Sequence, residues 1–251
     1  VLMDNPNVRV VGNTGTNVVH MDFNVTKAPF NDKRVRQAVA YAIDYDALCK
    51  KLLLGYSDPL YGRPFMEPYK GEAGSGAFGG VKGFKHDPAK AKALLKEAGV
   101  SGISTTIDTW EEFAEETQAI AQMMTDVGIN TTVRVWEHGV IMEEFKKGER
   151  DIYYTRTGSS RKAPHFIEGL VRTGAPQNYA KYSNPELDKL MDKAIAMDDS
   201  PERNALFIQV FGKVMDDLPI LAIHQPQVVE ACRKHVKNFQ ASCCGRVNLH
   251  R

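Results

Sequence analysis

Asn24 to Asp44 reads NVTKAPFNDKRVRQAVAYAID, and this stretch decides the fold class before any other. It leaves a strand-like run, NVVHMDFN, turns through Lys27-Ala28-Pro29-Phe30 and enters a helix. Val35, Ala38, Val39 and Ala42 recur there at helical spacing. Asn31 or Asp32 supplies the oxygen that caps the first turn, where backbone N–H groups have no partner within the helix. By physics alone the segment reads equally well as an amphipathic helix with a buried stripe and a solvated basic face.

The same order of devices recurs downstream. His86 to Gly99, HDPAKAKALLKEAG, sets a capping Asp87 before Pro88, which sits where a missing N–H costs nothing, and ends at a glycine suited to a left-handed exit. Thr117 to Val135 runs as a helix, a stop at Gly128 and a β-branched strand. Gly148 to Tyr154 leads into a short strand expected at Asp151 to Thr155, and Tyr182 to Leu190, YSNPELDKL, reads as another capped helix. Further strands are expected at Arg9 to Gly12, Ser104 to Thr109, Pro219 to His224 and Val228 to Arg233. Helices are expected at Asp32 to Ile43, Tyr45 to Leu54, Pro88 to Ala98, Glu111 to Val127, Val140 to Lys147, Pro185 to Met197 and Pro201 to Asp217. Strands alternating with helices predict an α/β fold, a sheet with helices on its faces. Gly55 to Gly83 reads as a long Gly- and Pro-rich loop that lines a cleft.

In wording and in order, these five segments resemble the signatures of family 5 extracellular solute-binding proteins, which deliver peptides, nickel chelates and related solutes to ABC importers. Asn24, Pro29, Phe30, Asp32, Val35, Arg36, Ala38, Ala42 and Asp44 carry the first of them. The likeness runs from about Val18 to about Phe239. It implies a periplasmic-binding-protein-like (type II) lobe, a mixed sheet flanked by helices. Residues 1–223 would form one continuous ligand-binding lobe, and 224–251 a C-terminal tail returning towards a first lobe. Members are about twice as long, so the chain is expected to be the C-terminal half of such a protein, a fragment.

Composition is compatible with that and narrows little. The chain has 251 residues, 43% hydrophobic and 25% charged, with a formal net charge of +1, so it carries no basic footprint for nucleic acid. No apolar run approaches the ~20 residues that span a bilayer. Val1-Leu2-Met3-Asp4 shows neither a basic start nor an apolar segment, which by itself points to the cytoplasm. The resemblance implies instead a periplasmic or extracytoplasmic protein whose signal peptide lies in upstream sequence, and which meets the membrane only through its permease. It further implies a monomer that does no chemistry and needs no cofactor.

Function is expected where the chain departs from the family. Peptide-binding members continue from this strand into a tryptophan and an Asp-Pro pair whose acid takes the peptide's ammonium. Here Tyr154 to His165 reads YTRTGSSRKAPH, without either. Arg156, Arg161 and the hydroxyls of Ser159 and Ser160 suit a carboxylate or phosphate, and a turn at Gly158 can present backbone N–H groups. A solvated basic loop is the other reading. The solute is therefore expected to be a small molecule or peptide-like compound with an anionic or polyhydroxylated group, rather than a plain peptide. His165 echoes a histidine of the nickel-chelate binders but lacks their preceding Asp, so it reads as a metal contact or as a hydrogen-bonded structural residue. Asn178 and Tyr179 match a cleft-rim pattern of the family, with core packing of Tyr179 as the alternative.

Cys232, His235, Cys243 and Cys244 lack the paired spacing of a structural zinc site; in an exported protein Cys232 would pair with Cys243 or Cys244. Cys49, beside Leu48 and Leu52, reads as a buried free thiol. Two other classes of function remain open. One is a ligand-sensing domain of a regulator on the same fold. The other is a hydrolase using Ser or Cys with His138 or His165, against which stands the lack of any nucleophile elbow, paired acid–base cluster or phosphate loop.

Overall fold

In the computed structural model, residues 5–63, 81–158, 163–198 and 200–241 are described, and of 163–166 the backbone alone. Among the described residues seven strands and eight α-helices follow in the order β1 Val8–Thr14, β2 Asn17–Phe23, α1 Lys33–Ala42, α2 Tyr45–Ala47, β3 Ser57–Gly62, α3 Pro88–Glu97, β4 Ile103–Trp110, α4 Ala114–Asp126, β5 Ile129–Trp136, α5 His138–Lys147, β6 Ile152–Gly158, α6 Ala163–Val171, α7 Pro185–Ile195, α8 Pro201–Asp217 and β7 Ile220–Arg233. The sheet order is β1-β7-β2-β6-β4-β5, with β3 also on β7. β4 runs parallel to β5 and β6, and the other pairs are antiparallel, so the sheet is mixed.

Local chemistry accounts for the helix starts. Asp32 accepts from the Arg34 amide, Asp87 from that of Lys90, Asn184 from Glu186 and Leu187, and Ser200 from Arg203. Pro88, Pro185 and Pro201 each occupy the first turn, where no N–H is needed. Gly148 closes α5 in the left-handed region at φ 63°, a conformation a Cβ would oppose.

Side-chain alternation along β2 sorts the core onto two faces. Val19, Met21 and Phe23 join the cluster under α1 and α4, which includes Val35, Val39 and Ile120. Val18 joins the cluster of Ile167, Leu170, Leu187, Met191, Phe207 and Phe211 contributed by α6, α7 and α8. Burying both faces is what the long apolar runs of this sequence require. Among the described residues no helix is long and apolar enough to cross a membrane.

Three expectations are corrected. The stretch Gly55 to Gly83, read as a long cleft-lining loop, contains the edge strand β3, and its residues 64–80 lie outside the described residues; Pro59 is tolerated in β3 because an edge strand leaves N–H groups unpaired anyway. The segment read as a basic loop up to His165 becomes helical at Ala163, which puts His165 in the first turn of α6. The two strands expected at Pro219 to His224 and Val228 to Arg233 are one strand, β7. Pro226 does not break it because the strand changes partners there: the Pro226 carbonyl accepts from Gly15 and the Gln227 amide donates to Tyr56. The expected boundary between residues 223 and 224 falls inside that strand.

Candidate functional site

Because β4, β5 and β6 are parallel, their carboxyl ends Trp110, Trp136 and Gly158 gather at one end of the sheet, the place where open α/β sheets bind ligands. Asn17 of antiparallel β2 pairs with Gly158, so the start of β2 shares this end. Two cavities open here. The larger, 380 Å³, is lined by apolar Val19, Leu52, Leu53 and Phe113, by Glu111, Glu112, Glu115 and Glu116, and by His224. The smaller, 170 Å³, is lined by Trp110, His138, Thr155, Thr157, Gln177 and Tyr179, with Gly158 at its edge.

Arg156 lines both. Its guanidinium pairs with the Glu112 carboxylate and lies over the Phe113 ring, 6.0 Å from the centroid. The two side chains of the pair are 45% and 44% exposed, so water screens them and their attraction is worth about 0–1 kcal/mol. The chain from which Glu112 projects is a single 3-10 turn, Glu111–Phe113, between β4 and α4. Trp110 anchors that turn: its ring packs edge-on against Phe113 at 4.7 Å and its indole N–H donates to Glu112 at 3.4 Å.

Two buried histidines stiffen the floor. The Nε2 of His224 lies 2.8 Å from Glu116, and its Nδ1 2.5 Å from the Ser57 hydroxyl. One tautomer satisfies both partners, with Nε2–H donating to the carboxylate and Nδ1 accepting from the hydroxyl. The residue types are those of a hydrolytic triad, but Ser57 is buried and is not among the residues lining the larger cavity, so its hydroxyl has no substrate to meet. His20 Nε2 lies 3.0 Å from the Thr157 hydroxyl, and its Nδ1 3.3 Å from the Asp22 carboxylate. His224 lines the larger cavity with both ring nitrogens engaged, tying β7 to α4 and β3, while His20 ties β2 to β6.

The residues singled out from sequence divide. Arg156, Gly158 and Tyr179 come together at the smaller cavity. Tyr179 is also core: it is 8% exposed and packs on Phe145 and Tyr153 at 5.2 and 6.2 Å. Asn178 spends its amide on the backbone, donating to the Arg172 and Tyr182 carbonyls and accepting from the Tyr182 amide. It borders a separate 360 Å³ hollow with Lys146 and Lys181. Ser159, Ser160 and Arg161 lie outside the described residues, as do Cys243 and Cys244, and of His165 only its helical backbone is described. Among the described residues no group of three or more His, Cys, Asp or Glu is placed to hold a metal ion, and Cys49 and Cys232 are free.

Sequence reasoning passed over Trp110, Glu112, Thr155, Thr157 and Gln177. The signal for the first two was available: Trp110-Glu111-Glu112-Phe113 stands just after a strand and just before a helix, at the carboxyl end of a parallel strand.

Comparison with known proteins settles the family. The sequence model of bacterial extracellular solute-binding proteins, family 5, middle region, matches residues 1–178. The chain belongs to this family. The family 5 chain is 31% identical over 248 residues to the dipeptide-binding protein of Escherichia coli strain K12, covering 92% of itself and 44% of that protein. It is 30% identical over 256 residues to the glutathione-binding protein GsiB of Pectobacterium atrosepticum, covering 95% of itself and 48% of that protein. Its fold superposes with a TM-score of 0.84 on the ABC transporter-associated periplasmic binding protein DppA of Helicobacter pylori in complex with the peptide STSA, at 25% identity, over 95% of this chain and 47% of that one. The family 5 chain therefore has the periplasmic-binding-protein fold, and it spans about half the length of these relatives.

Proposed function

We propose that this chain is one wall of the solute cleft in the binding component of an ABC importer. The solute is captured outside the cytoplasm between this lobe, residues 1–223, and a second lobe, and is handed to a permease on closure. The return towards that second lobe, expected of residues 224–251, is proposed for the chain beyond Arg233, because 224–233 belong to β7 of this lobe. Family membership supports the binding role, and the relatives' names supply peptides and glutathione as the nearest chemistries. In this reading the protein acts as a monomer, changes no covalent bond and uses no cofactor.

The finer reading concerns the solute. Arg156, standing where the two cavities meet, is the observation that carries it. A guanidinium offers a planar fork for a carboxylate, and the Thr155 and Thr157 hydroxyls beside it can serve an anionic or polyhydroxylated group. The solute is thus proposed to present such a group to this wall, with the unassigned Arg161, Ser159 and Ser160 next in sequence.

Affinity in a two-lobe binder comes from desolvating the solute between both walls. Calorimetric titration with glutathione and with dialanine is the test, on this chain and on the longer protein that completes its relatives' length. The chain alone should bind at least ~100-fold more weakly, about 2.7 kcal/mol. In the longer protein Arg156→Ala should weaken the anionic solute by about 2–5 kcal/mol. Equal affinity of chain and longer protein removes the half-cleft reading; tight binding untouched by Arg156→Ala removes the anionic one.

A further inference from the structure

The Arg156 guanidinium is paired within the chain with the Glu112 carboxylate. Among the described residues its one hydrogen-bond acceptor is Glu112 Oε1, reached from Nη1. We propose that Glu112 is a specificity-determining residue of this wall, an internal counter-ion that a solute's carboxylate must displace from Arg156. The proposal rests on the reading that Arg156 receives the anionic group.

Three features make the exchange cheap and directional. Both partners are nearly half exposed, so opening the pair costs little. A released Glu112 is not orphaned, because its side chain is 44% exposed to water and the Trp110 indole N–H, 3.4 Å from its other oxygen in the pair, is a neighbouring donor. Arg156 can keep its place over the Phe113 ring while it changes acceptors, since the cation–π contact does not depend on which carboxylate it holds.

The side of approach follows from charge. Glu111, Glu115 and Glu116 line the larger cavity and repel an anion there. The lining of the smaller cavity includes Thr155, Thr157 and Gln177 and, among the described residues, no carboxylate; the Thr157 hydroxyl there is already shared with His20 Nε2 at 3.0 Å. A compact carboxylate therefore reaches Arg156 from the smaller cavity, on the side away from Glu112, which lines the larger one. Solutes whose carboxylate is absent or blocked cannot make the exchange and gain nothing from Arg156.

The test uses two probes of opposite character, N-acetyl-dialanine, which has a carboxylate and no ammonium, and dialanine amide, which has an ammonium and no carboxylate. Binding to the full 251-residue chain is read by NMR shift titration, which reports millimolar affinities, with the amide spectrum confirming that each variant is folded. Glu112→Gln should tighten N-acetyl-dialanine by about three- to tenfold, up to ~1.4 kcal/mol, and leave dialanine amide within about twofold. Adding Arg156→Gln should abolish that gain, because the competition is for Arg156 alone. If Glu112→Gln leaves the anionic probe unchanged or weakens it while Arg156→Gln loses it, the exchange is wrong and the anionic reading survives. If Arg156→Gln binds the anionic probe as well as the parent chain, or no variant binds it at tens of millimolar, both fall.

Discussion

Arg36 in α1 donates from Nε to the Leu218 carbonyl at 3.1 Å, closing the end of α8 from across the lobe. The same side chain reaches the Asp217 carbonyl at 2.9 Å and the Phe30 carbonyl at 2.5 Å. Leu218 is the left-handed cap of α8, with φ 47°, so the Asp217 and Leu218 carbonyls have run out of helical partners and carry the negative end of the helix dipole. A buried guanidinium, 4% exposed, is thus held by backbone rather than by a carboxylate.

That geometry needs a planar fork. Arg36→Lys keeps the charge but can serve fewer of these acceptors at once, and should cost about 2–4 kcal/mol by leaving buried carbonyls unpaired. Urea denaturation followed by circular dichroism reads it as a lowered midpoint at unchanged m-value. A loss below about 0.5 kcal/mol would mean that water or a neighbour replaces the fork.

Asp32 gives a pH dependence with a definite sign. The Arg34 guanidinium donates to it and holds its carboxyl below the ordinary value of 3.8. Because the folded pKa is depressed, this contribution is fully present above 3.8 and is lost as pH falls through the folded value. Asp32→Asn retains an oxygen for the Arg34 amide but not the charge, so the parent should exceed it by at most ~1 kcal/mol near neutrality, discounted for partial exposure. Thermal melts from pH 7 downward should show the gap closing below 3.8. A gap that grows on acidification contradicts the assignment.

Cys49 should be chemically silent in the native state. Burial pushes its thiol up to about 12, so almost no thiolate exists at pH 8 and no reagent can reach it. Peptide mapping after iodoacetamide treatment should find Cys49 unmodified in the folded chain and modified in urea, while half-buried Cys232 reacts first. Native labelling of Cys49 at a rate matching Cys232 would reveal opening of the α2 region.

What was legible in the sequence was local. Asp87-Pro88, Asn184-Pro185 and Ser200-Pro201 announce helix starts because a cap and its acceptor lie within three residues of each other, and α8 begins and ends where its caps place it. β3 was illegible because a short edge strand carrying Pro59 exists only through its partner β7. α6 was missed for a related reason: its apolar stripe, Ile167, Leu170 and Val171, makes sense only against the cluster supplied by α7 and α8.

The sequence by itself determined the family, the succession of strands and helices, and the presence of Arg156 near the end of a strand. Tertiary structure alone decided what Arg156 faces. Glu112 stands 44 positions away in the chain, and only parallel pairing of β4 with β6 brings their carboxyl ends to one edge of the sheet. Hydrogen-bond ladders and two-sided burial set that register, and neither is a property of any short stretch of residues. The charge of a side chain is written in the sequence; whether it meets solute, solvent or its own counter-ion is settled by packing.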